Sequence, residues 1–211
     1  MTPAGVRAWQ RIVGLYGRDV DGNPGPKTAA AFRAWQIAKG IEPDGEIGPL
    51  CRAAVGIADL IKPYEGCVLQ AYDDERRSPL SARLLHRVGG TWIRADGAMC
   101  HSVPTIGWGN TAKPRLGIER CTRAEADQWL LEDLSSVRLP AVRRVQGTDW
   151  DAAMVCATLS FCYNEGTGAL AKLAGHGFTE EAWMAYDMIG TAHDAGLKMR
   201  REEEYALFSG L

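Results

Sequence analysis

The stretch IKPYEGCVLQAYDD, residues 61–74, predicts a helix that ends abruptly and a strand that follows at once. Apolar residues recur at helical spacing over residues 55–64, and Gly66, two residues after the last of them, is a typical helix stop. Val68, Leu69, Ala71 and Tyr72 then lead into the turn-forming pair Asp73–Asp74. These two elements indicate an α+β fold, and the further helices that the sequence predicts, described below, make it mainly α.

Glu65 is the last residue of that predicted helix. The negative end of the helix dipole disfavours a charged carboxylate there, and a protonated glutamate is what a general acid requires. Downstream, PTIGWGNT at residues 104–111 suits a short strand, in which Gly107 and Gly109 allow close backbone approach. An acid, a second carboxylate and a hydroxyl on neighbouring small strands are the parts of a glycosidase site.

These two stretches resemble the phage-type lysozymes, glycoside hydrolase family 24. In that family a glutamate is followed, after eight residues, by an aspartate, and eight residues separate Glu65 from Asp74. The resemblance implies Glu65 as the general acid. It implies Asp74 as the carboxylate that positions the attacking water or stabilises the developing positive charge, and Thr105 as the hydroxyl that helps to hold the water.

The chain departs from the family pattern between Asp74 and Thr105, where thirty residues, 75–104, replace a short spacer. We expect this insertion to extend the β-region as a loop or hairpin beside the cleft. Because of this insertion, the second catalytic carboxylate can be Asp74, Asp73 or Asp96. Cys100 also lies near the position where some members of the family carry a cysteine. A second departure is Asn110, which stands where the family usually has a histidine, and for that position we favour a structural role.

The resemblance continues to the C-terminus. CTRAEADQWLLEDL at residues 121–134 predicts a helix with a capping box, Thr122 and Glu125, and a buried stripe of Ala126, Leu130, Leu134 and Val137. DAAMVCATLSFCYNEGTGAL at residues 151–170 predicts a buried central helix. Tyr163 and Asn164 end that helix, either as substrate contacts or as part of a glycine-rich cap. GLKMRREEEYALF at residues 196–208 resembles the last helix of the family.

The first quarter of the chain contains an internal repeat. RAWQ occurs at residues 7–10 and 33–36, and each copy precedes a related hexapeptide, DGNPGP at residues 21–26 and DGEIGP at residues 44–49. Asp-Gly predicts a tight turn and the final proline suits the first turn of a helix. The doubled motif resembles a peptidoglycan-binding domain. We expect a small three-helix N-terminal module at residues 1–53, with its two tryptophans in the core.

The remaining residues, 54–211, are then expected to form a lysozyme-like domain with a small β-region and a helical lobe. The linker is short, so we expect the two domains to be fixed rather than loosely connected. The N-terminal module and the lysozyme-like domain would both act on the peptidoglycan of the cell wall. The module would therefore raise the local concentration of the enzyme on an insoluble substrate.

The composition of the 211 residues excludes several classes of function. A hydrophobic fraction of 46% is ordinary for a globular protein, and a net charge of −2 gives no basic field for nucleic acid. No apolar run approaches the roughly 20 residues of a membrane helix. No metal or organic cofactor is expected, since the histidines lack ligand spacing. The six cysteines have no CxxC pair and are expected to be free, mostly buried thiols, with one or two disulfides as the alternative in an oxidising compartment.

Together these features predict a monomeric phage endolysin. It would hydrolyse the β-1,4 bond between N-acetylmuramic acid and N-acetylglucosamine in peptidoglycan and lyse the host at phage release. The N-terminus has no signal pattern, so we expect the protein to wait in the host cytoplasm until a holin releases it to the wall. By analogy the host is Gram-negative and the wall lies in its periplasm. Two alternatives stay open: a lytic transglycosylase that cuts the same bond, and a non-catalytic wall-binding protein.

Overall fold

The computed structural model describes residues 1–73, 78–79, 84–88, 91–94, 99–100, 104–116, 118–187 and 194–211. The chain forms two compact units, defined by packing. We call Met1–Tyr64 with Ser136–Leu211 the helical unit, and Glu65–Ser135 the sheet unit. The two domains predicted from the sequence, 1–53 and 54–211, have other bounds than these units and stay a prediction.

Helices dominate the described residues, as the sequence predicted, and the fold class α+β, mainly α, is confirmed. In chain order the helices are α1 Pro3–Ile12, α2 Pro26–Ala38, α3 Pro49–Ala53, α4 Ile57–Glu65, α5 Ala112–Arg115, α6 Arg123–Asp133, α7 Leu139–Val145, α8 Ala152–Glu165, α9 Thr167–Gly175, α10 Glu180–Met184 and α11 Asp194–Ser209. The strands are β1 Val68–Asp73, β2 Ser78–Pro79, β3 Leu84–Val88, β4 Thr91–Arg94, β5 Met99–Cys100 and β6 Pro104–Gly107.

The N-terminal repeat builds α1, α2 and α3. Pro26 and Pro49 start α2 and α3 as expected, because proline has no N–H to leave unpaired in the first turn. Trp9 and Trp35 are buried, and their rings meet edge to face with centroids 5.8 Å apart. Both tryptophans therefore belong to the core, as predicted.

That core extends beyond the N-terminal module. Trp9 and Trp35 lie in one hydrophobic cluster with Ala153 and Phe161 of α8 and Trp183 of α10. An ion pair also joins the two sets of helices: the Nε of Arg52 in α3 lies 2.6 Å from the carboxylate of Asp151, the N-cap residue of α8. The N-terminal helices and the C-terminal helices of the helical unit thus share one interior.

The sheet unit contains two antiparallel sheets, with strand orders β2-β1-β6 and β3-β4-β5. The second sheet lies within residues 75–104, where β3 and β4 pair antiparallel. The role of this insertion beside a cleft stays a prediction. Against the first sheet, Ala71 and Ile106 pack on Trp129 of α6. Those two buried side chains fix which face of β1 and β6 meets the helix.

Helix α6 begins with the predicted capping box: Thr122 accepts from the backbone N–H of Glu125, whose carboxylate accepts from the backbone N–H of Thr122. Ala126, Leu130 and Leu134 are buried as predicted, but Val137 is 46% exposed, so that part of the stripe was wrong. The cause is the π-helical turn Leu134–Arg138, whose wider winding rotates the following side chains away from the stripe.

Five cysteines whose side chains the structure describes are free thiols: Cys51, Cys156 and Cys162 are buried, and Cys67 and Cys121 are partly exposed. Burial raises the pKa of the Cys156 thiol to about 12, so it stays protonated at neutral pH. No helix among the described residues combines the length and the apolar character that crossing a bilayer requires.

Candidate active site

Glu65 is the last residue of α4, and its side chain is partly buried. Gly66 follows with φ of +61°, a left-handed conformation that stops the helix. Pro63 lies inside the helix and has no N–H to donate to the carbonyl of Asp59, so the last turn is held by fewer backbone hydrogen bonds. The helix end that presents Glu65 is thus as predicted.

Thr105 lies in β6, which pairs antiparallel with β1 so that Thr105 is opposite Tyr72 and Gly107 is opposite Val68. Thr105 is only 6% exposed. Since Ala71 and Ile106 face α6, alternation along the strands places Tyr72 and Thr105 on the other face of the sheet. Glu65 and Thr105 both belong to the sheet unit.

The loop after β6 depends on glycine at Gly107. Its φ is +66°, and a Cβ there would lie 3.1 Å from the Cβ of Ala126 in α6. The next residue, Trp108, is buried; its Nε1 donates to Asp127 at 2.7 Å, and the guanidinium of Arg123 lies 4.1 Å from its ring centroid. These contacts fix the end of the strand that contains Thr105 against α6.

The second carboxylate stays a prediction. Asp74 and Asp96 lie outside the described residues, and Asp73 is the last residue of β1, paired with Pro104 and Ser78 along the backbone. Asn110 has a structural role, as expected. Its Oδ1 accepts from the backbone N–H groups of Ala112 and Lys113 at 3.0 and 2.9 Å, which caps α5.

Tyr163 and Asn164 lie in the helical unit, at the end of α8. The Oδ1 of Asn164 accepts a hydrogen bond from Nη2 of the buried Arg201. Gly166 ends the helix with φ of +88°. The glycine-rich cap is therefore present. The role of Tyr163 and Asn164 as substrate contacts stays a prediction.

The N-terminal module has a groove of about 670 Å³ between its two repeats. Its lining is mainly apolar and includes Val6, Trp9, Phe32 and Ile47, with Thr28 and Glu46 as polar members. Among the described residues, His, Cys, Asp and Glu form no group of three or more that could hold a metal ion.

Sequence reasoning missed two sets of buried polar groups. Gln10 and Gln36 are fully buried and bind the Asp-Gly turns of the repeat. Glu203 is also fully buried and binds Arg7 and Arg11 of α1. The repetition of glutamine in RAWQ was a signal for the first set. The run of three glutamates at residues 202–204 is typical of a solvated helix face and concealed the second.

The phage lysozyme family matches residues 93–204, more than half of the chain, so the chain belongs to that family. The matched range contains Thr105 but neither Glu65 nor Asp74. Residues 6–55 match the peptidoglycan-binding domain family, which agrees with the repeat.

Two individual proteins are similar to the chain. The endolysin from Escherichia coli O157:H7 phage FAHEc1 has 24% identity and a TM-score of 0.49, over 72% of this chain and 89% of that one. An uncharacterised protein from the bpoA1 3′ region of Kitasatospora aureofaciens is 56% identical over 34 residues, 16% of this chain. The matched part spans 29% of the length of that curated relative.

Proposed function

We propose that the chain is an endolysin that hydrolyses peptidoglycan at the β-1,4 bond between N-acetylmuramic acid and N-acetylglucosamine, and thereby lyses the host. The observation that supports this most is the combination of phage lysozyme family membership with Glu65 at the end of α4, in the same compact unit as the buried Thr105. The peptidoglycan-binding match at residues 6–55 supports the same substrate.

In this proposal Glu65 donates its proton to the glycosidic oxygen as the bond to the anomeric carbon breaks. The carboxylate of Asp74 stabilises the positive charge that develops on the sugar or accepts a proton from the attacking water. Thr105 holds that water with its hydroxyl. Asp73 and Asp96 stay the alternatives to Asp74.

Asn164 is proposed as a secondary substrate contact. Its Oδ1 binds Arg201, so its amide nitrogen is the group that we assign to a sugar or peptide oxygen. Tyr163 is the second proposed contact. The guanidinium of Arg138 lies 5.8 Å from its ring centroid.

The N-terminal module is proposed to bind peptidoglycan in the groove between its repeats. Binding there would hold the enzyme on the insoluble wall and raise its effective concentration at the scissile bonds. Monomeric state, holin-dependent release from the host cytoplasm and a Gram-negative host stay predictions.

The test is digestion of purified peptidoglycan by the wild type, Glu65→Gln, Asp74→Asn and Thr105→Val, with mass spectrometry of the fragments. We expect hydrated reducing muramic acid ends from the wild type and none from Glu65→Gln. Asp74→Asn should lose most activity and Thr105→Val a smaller share, since only one bond to the water is removed.

Glu119→Gln is the matched control, because Glu119 is a partly buried carboxylate of the same unit with no proposed role. Full activity of Glu65→Gln would contradict the assignment of the acid. Anhydromuramic ends from the wild type would instead indicate a lytic transglycosylase. Wall binding without cleavage would indicate a non-catalytic protein.

A further inference from the structure

A buried charge cluster in the helical unit surrounds Glu203 of α11. Glu203 is fully buried and accepts from Nε of Arg11 at 2.6 Å and from Nε of Arg7 at 3.2 Å. Both arginines come from α1, at the start of the N-terminal module. The cluster therefore joins the first helix of the chain to the last.

Tyr64 is the third partner of Glu203. Its hydroxyl donates to the Oε2 of Glu203, the oxygen that also accepts from Nε of Arg11. The guanidinium groups of Arg11 and Arg200 lie 4.9 and 4.7 Å from the ring centroid of Tyr64, within the range of a cation–π contact. The Tyr64 side chain is thus fixed at both its ring and its hydroxyl.

The phenol of Tyr64 stays protonated and is therefore a hydrogen-bond donor at neutral pH. Burial raises its pKa well above the ordinary tyrosine value, and the charges of Glu203 and Glu204 raise it further. The hydroxyl therefore keeps its proton throughout the neutral range and stays a donor to Glu203.

Tyr64 is followed directly by Glu65 in α4. The last turn of that helix lacks the backbone hydrogen bond that Pro63 cannot donate, and the helix stops before Gly66. Side-chain contacts must therefore contribute more to holding this turn in one conformation. Proteins in which apolar residues replace a buried ion cluster are often equally stable, so such a cluster is weak evidence for stability. Its directional contacts do fix the orientation of the side chains that they join. The Tyr64 contact is placed where such geometry would matter for catalysis.

We propose that Tyr64 is a positioning residue for Glu65, held in place by Glu203 together with Arg7 and Arg11 of the N-terminal module. The module then has a second role besides wall binding, since its first helix sets the orientation of the proposed general acid. This inference rests on the proposed role of Glu65.

The test uses Tyr64→Phe, which removes only the hydroxyl, in the full chain with sonicated soluble peptidoglycan as substrate. We expect kcat to fall at least about tenfold, as small displacements of a catalytic group do. KM and the binding to insoluble peptidoglycan should stay unchanged, and the variant should remain folded at the assay temperature although its melting temperature falls. Tyr186→Phe is the matched control: Tyr186 donates to the carbonyl of Ala169 at 3.4 Å, away from Glu203, and its loss should leave kcat unchanged.

Arg11→Lys is a second test, because it keeps the charge beside Glu203 and loses the planar guanidinium. It should lower kcat in the same direction as Tyr64→Phe. Wild-type kcat in Tyr64→Phe would overturn the proposal. A loss of activity that only follows a loss of folded protein, seen by circular dichroism, would overturn it too, because the role would then be purely structural.

Glu65→Gln is measured alongside. If it is inactive while Tyr64→Phe is fully active, the positioning role fails and the acid assignment stands. If Glu65→Gln is fully active, the assignment of the acid fails, and the positioning role fails with it.

Discussion

Gln36 makes the same set of contacts to the second Asp-Gly turn that Gln10 makes to the first. The Nε2 of Gln10 donates to Asp21 at 2.8 Å, and its Oε1 accepts from the N–H of Gly22 at 3.0 Å. The Nε2 of Gln36 donates to Asp44 at 2.7 Å, and its Oε1 accepts from the N–H of Gly45 at 3.0 Å. The repeat in the sequence is therefore a repeated hydrogen-bond network, and it explains why RAWQ accompanies each DGxxGP.

The first prediction concerns the buried glutamines. Gln10→Ala and Gln36→Ala should each lower the free energy of unfolding by about 1–3 kcal/mol, because each leaves a backbone N–H without its acceptor and removes one of the hydrogen bonds that the aspartate accepts. Gln128→Ala, on the exposed face of α6, is the control and should change it by less than about 0.5 kcal/mol. Urea denaturation measures all three. Equal effects of the buried and exposed changes would refute the network's role.

The second prediction concerns acid stability. Hydrogen bonds from Gln10 and from the N–H of Asn23 hold the pKa of Asp21 below its ordinary value, and those from the N–H of Glu46 and from Gln36 do the same for Asp44. Each aspartate binds a proton less readily when folded than when unfolded. Its contribution to stability is thus complete above the ordinary aspartate pKa of about 3.9. It is lost as the pH falls through the lower folded pKa.

The variant Asp21→Asn/Asp44→Asn keeps the acceptor oxygens and removes the titration. Its melting temperature should fall less steeply than that of the wild type below about pH 4. Thermal melts at a series of pH values measure this. Parallel curves for the two proteins would show that these carboxylates do not contribute to the acid sensitivity.

The third prediction concerns the loop after β6. Gly107→Ala should cost about 1–3 kcal/mol, because φ is +66° and the new Cβ would press on Ala126. Gly168→Ala is the control, since a Cβ there meets nothing within 4 Å and the residue is helical in α9. It should be neutral or stabilise by about 0.5 kcal/mol. A neutral Gly107→Ala would mean that the loop can relax without cost.

The fourth prediction separates two neighbouring glutamates. Glu203→Ala should destabilise the protein by about 3–5 kcal/mol, because it leaves Arg7 and Arg11 beside a buried site without their carboxylate. Glu202→Ala should cost less than about 1 kcal/mol, since its 3.0 Å pair with Arg7 is partly exposed. Guanidinium denaturation gives both values, and similar losses for the two variants would contradict the assigned burial of Glu203.

The local features of the fold could be predicted from the sequence because each has a local cause. The helix stop at Gly66, the capping box of Thr122 and Glu125, and the prolines that start α2 and α3 depend on residues a few positions apart. The exposed Val137 could not be predicted, because the π-helical turn that rotates it is a deviation from the period that the prediction assumed.

The site was predictable only in part. Motifs predicted Glu65 and Thr105, and their roles stay predictions. The pairing of β1 with β6 is consistent with the neighbouring small strands that were expected. The Glu203 cluster could not be found. Its arginines lie more than 190 positions away along the chain, and no local pattern distinguishes Glu203 from Glu202. The insertion at residues 75–104 broke the spacing that would have identified the second carboxylate.

The most direct test of the central claim is digestion of peptidoglycan by the wild type in water labelled with heavy oxygen. The account predicts that one labelled oxygen appears at C1 of each new reducing N-acetylmuramic acid, and that Glu65→Gln yields no labelled ends. Labelled N-acetylglucosamine ends, or unlabelled anhydromuramic ends, would contradict the claim that this chain is a muramidase that uses water.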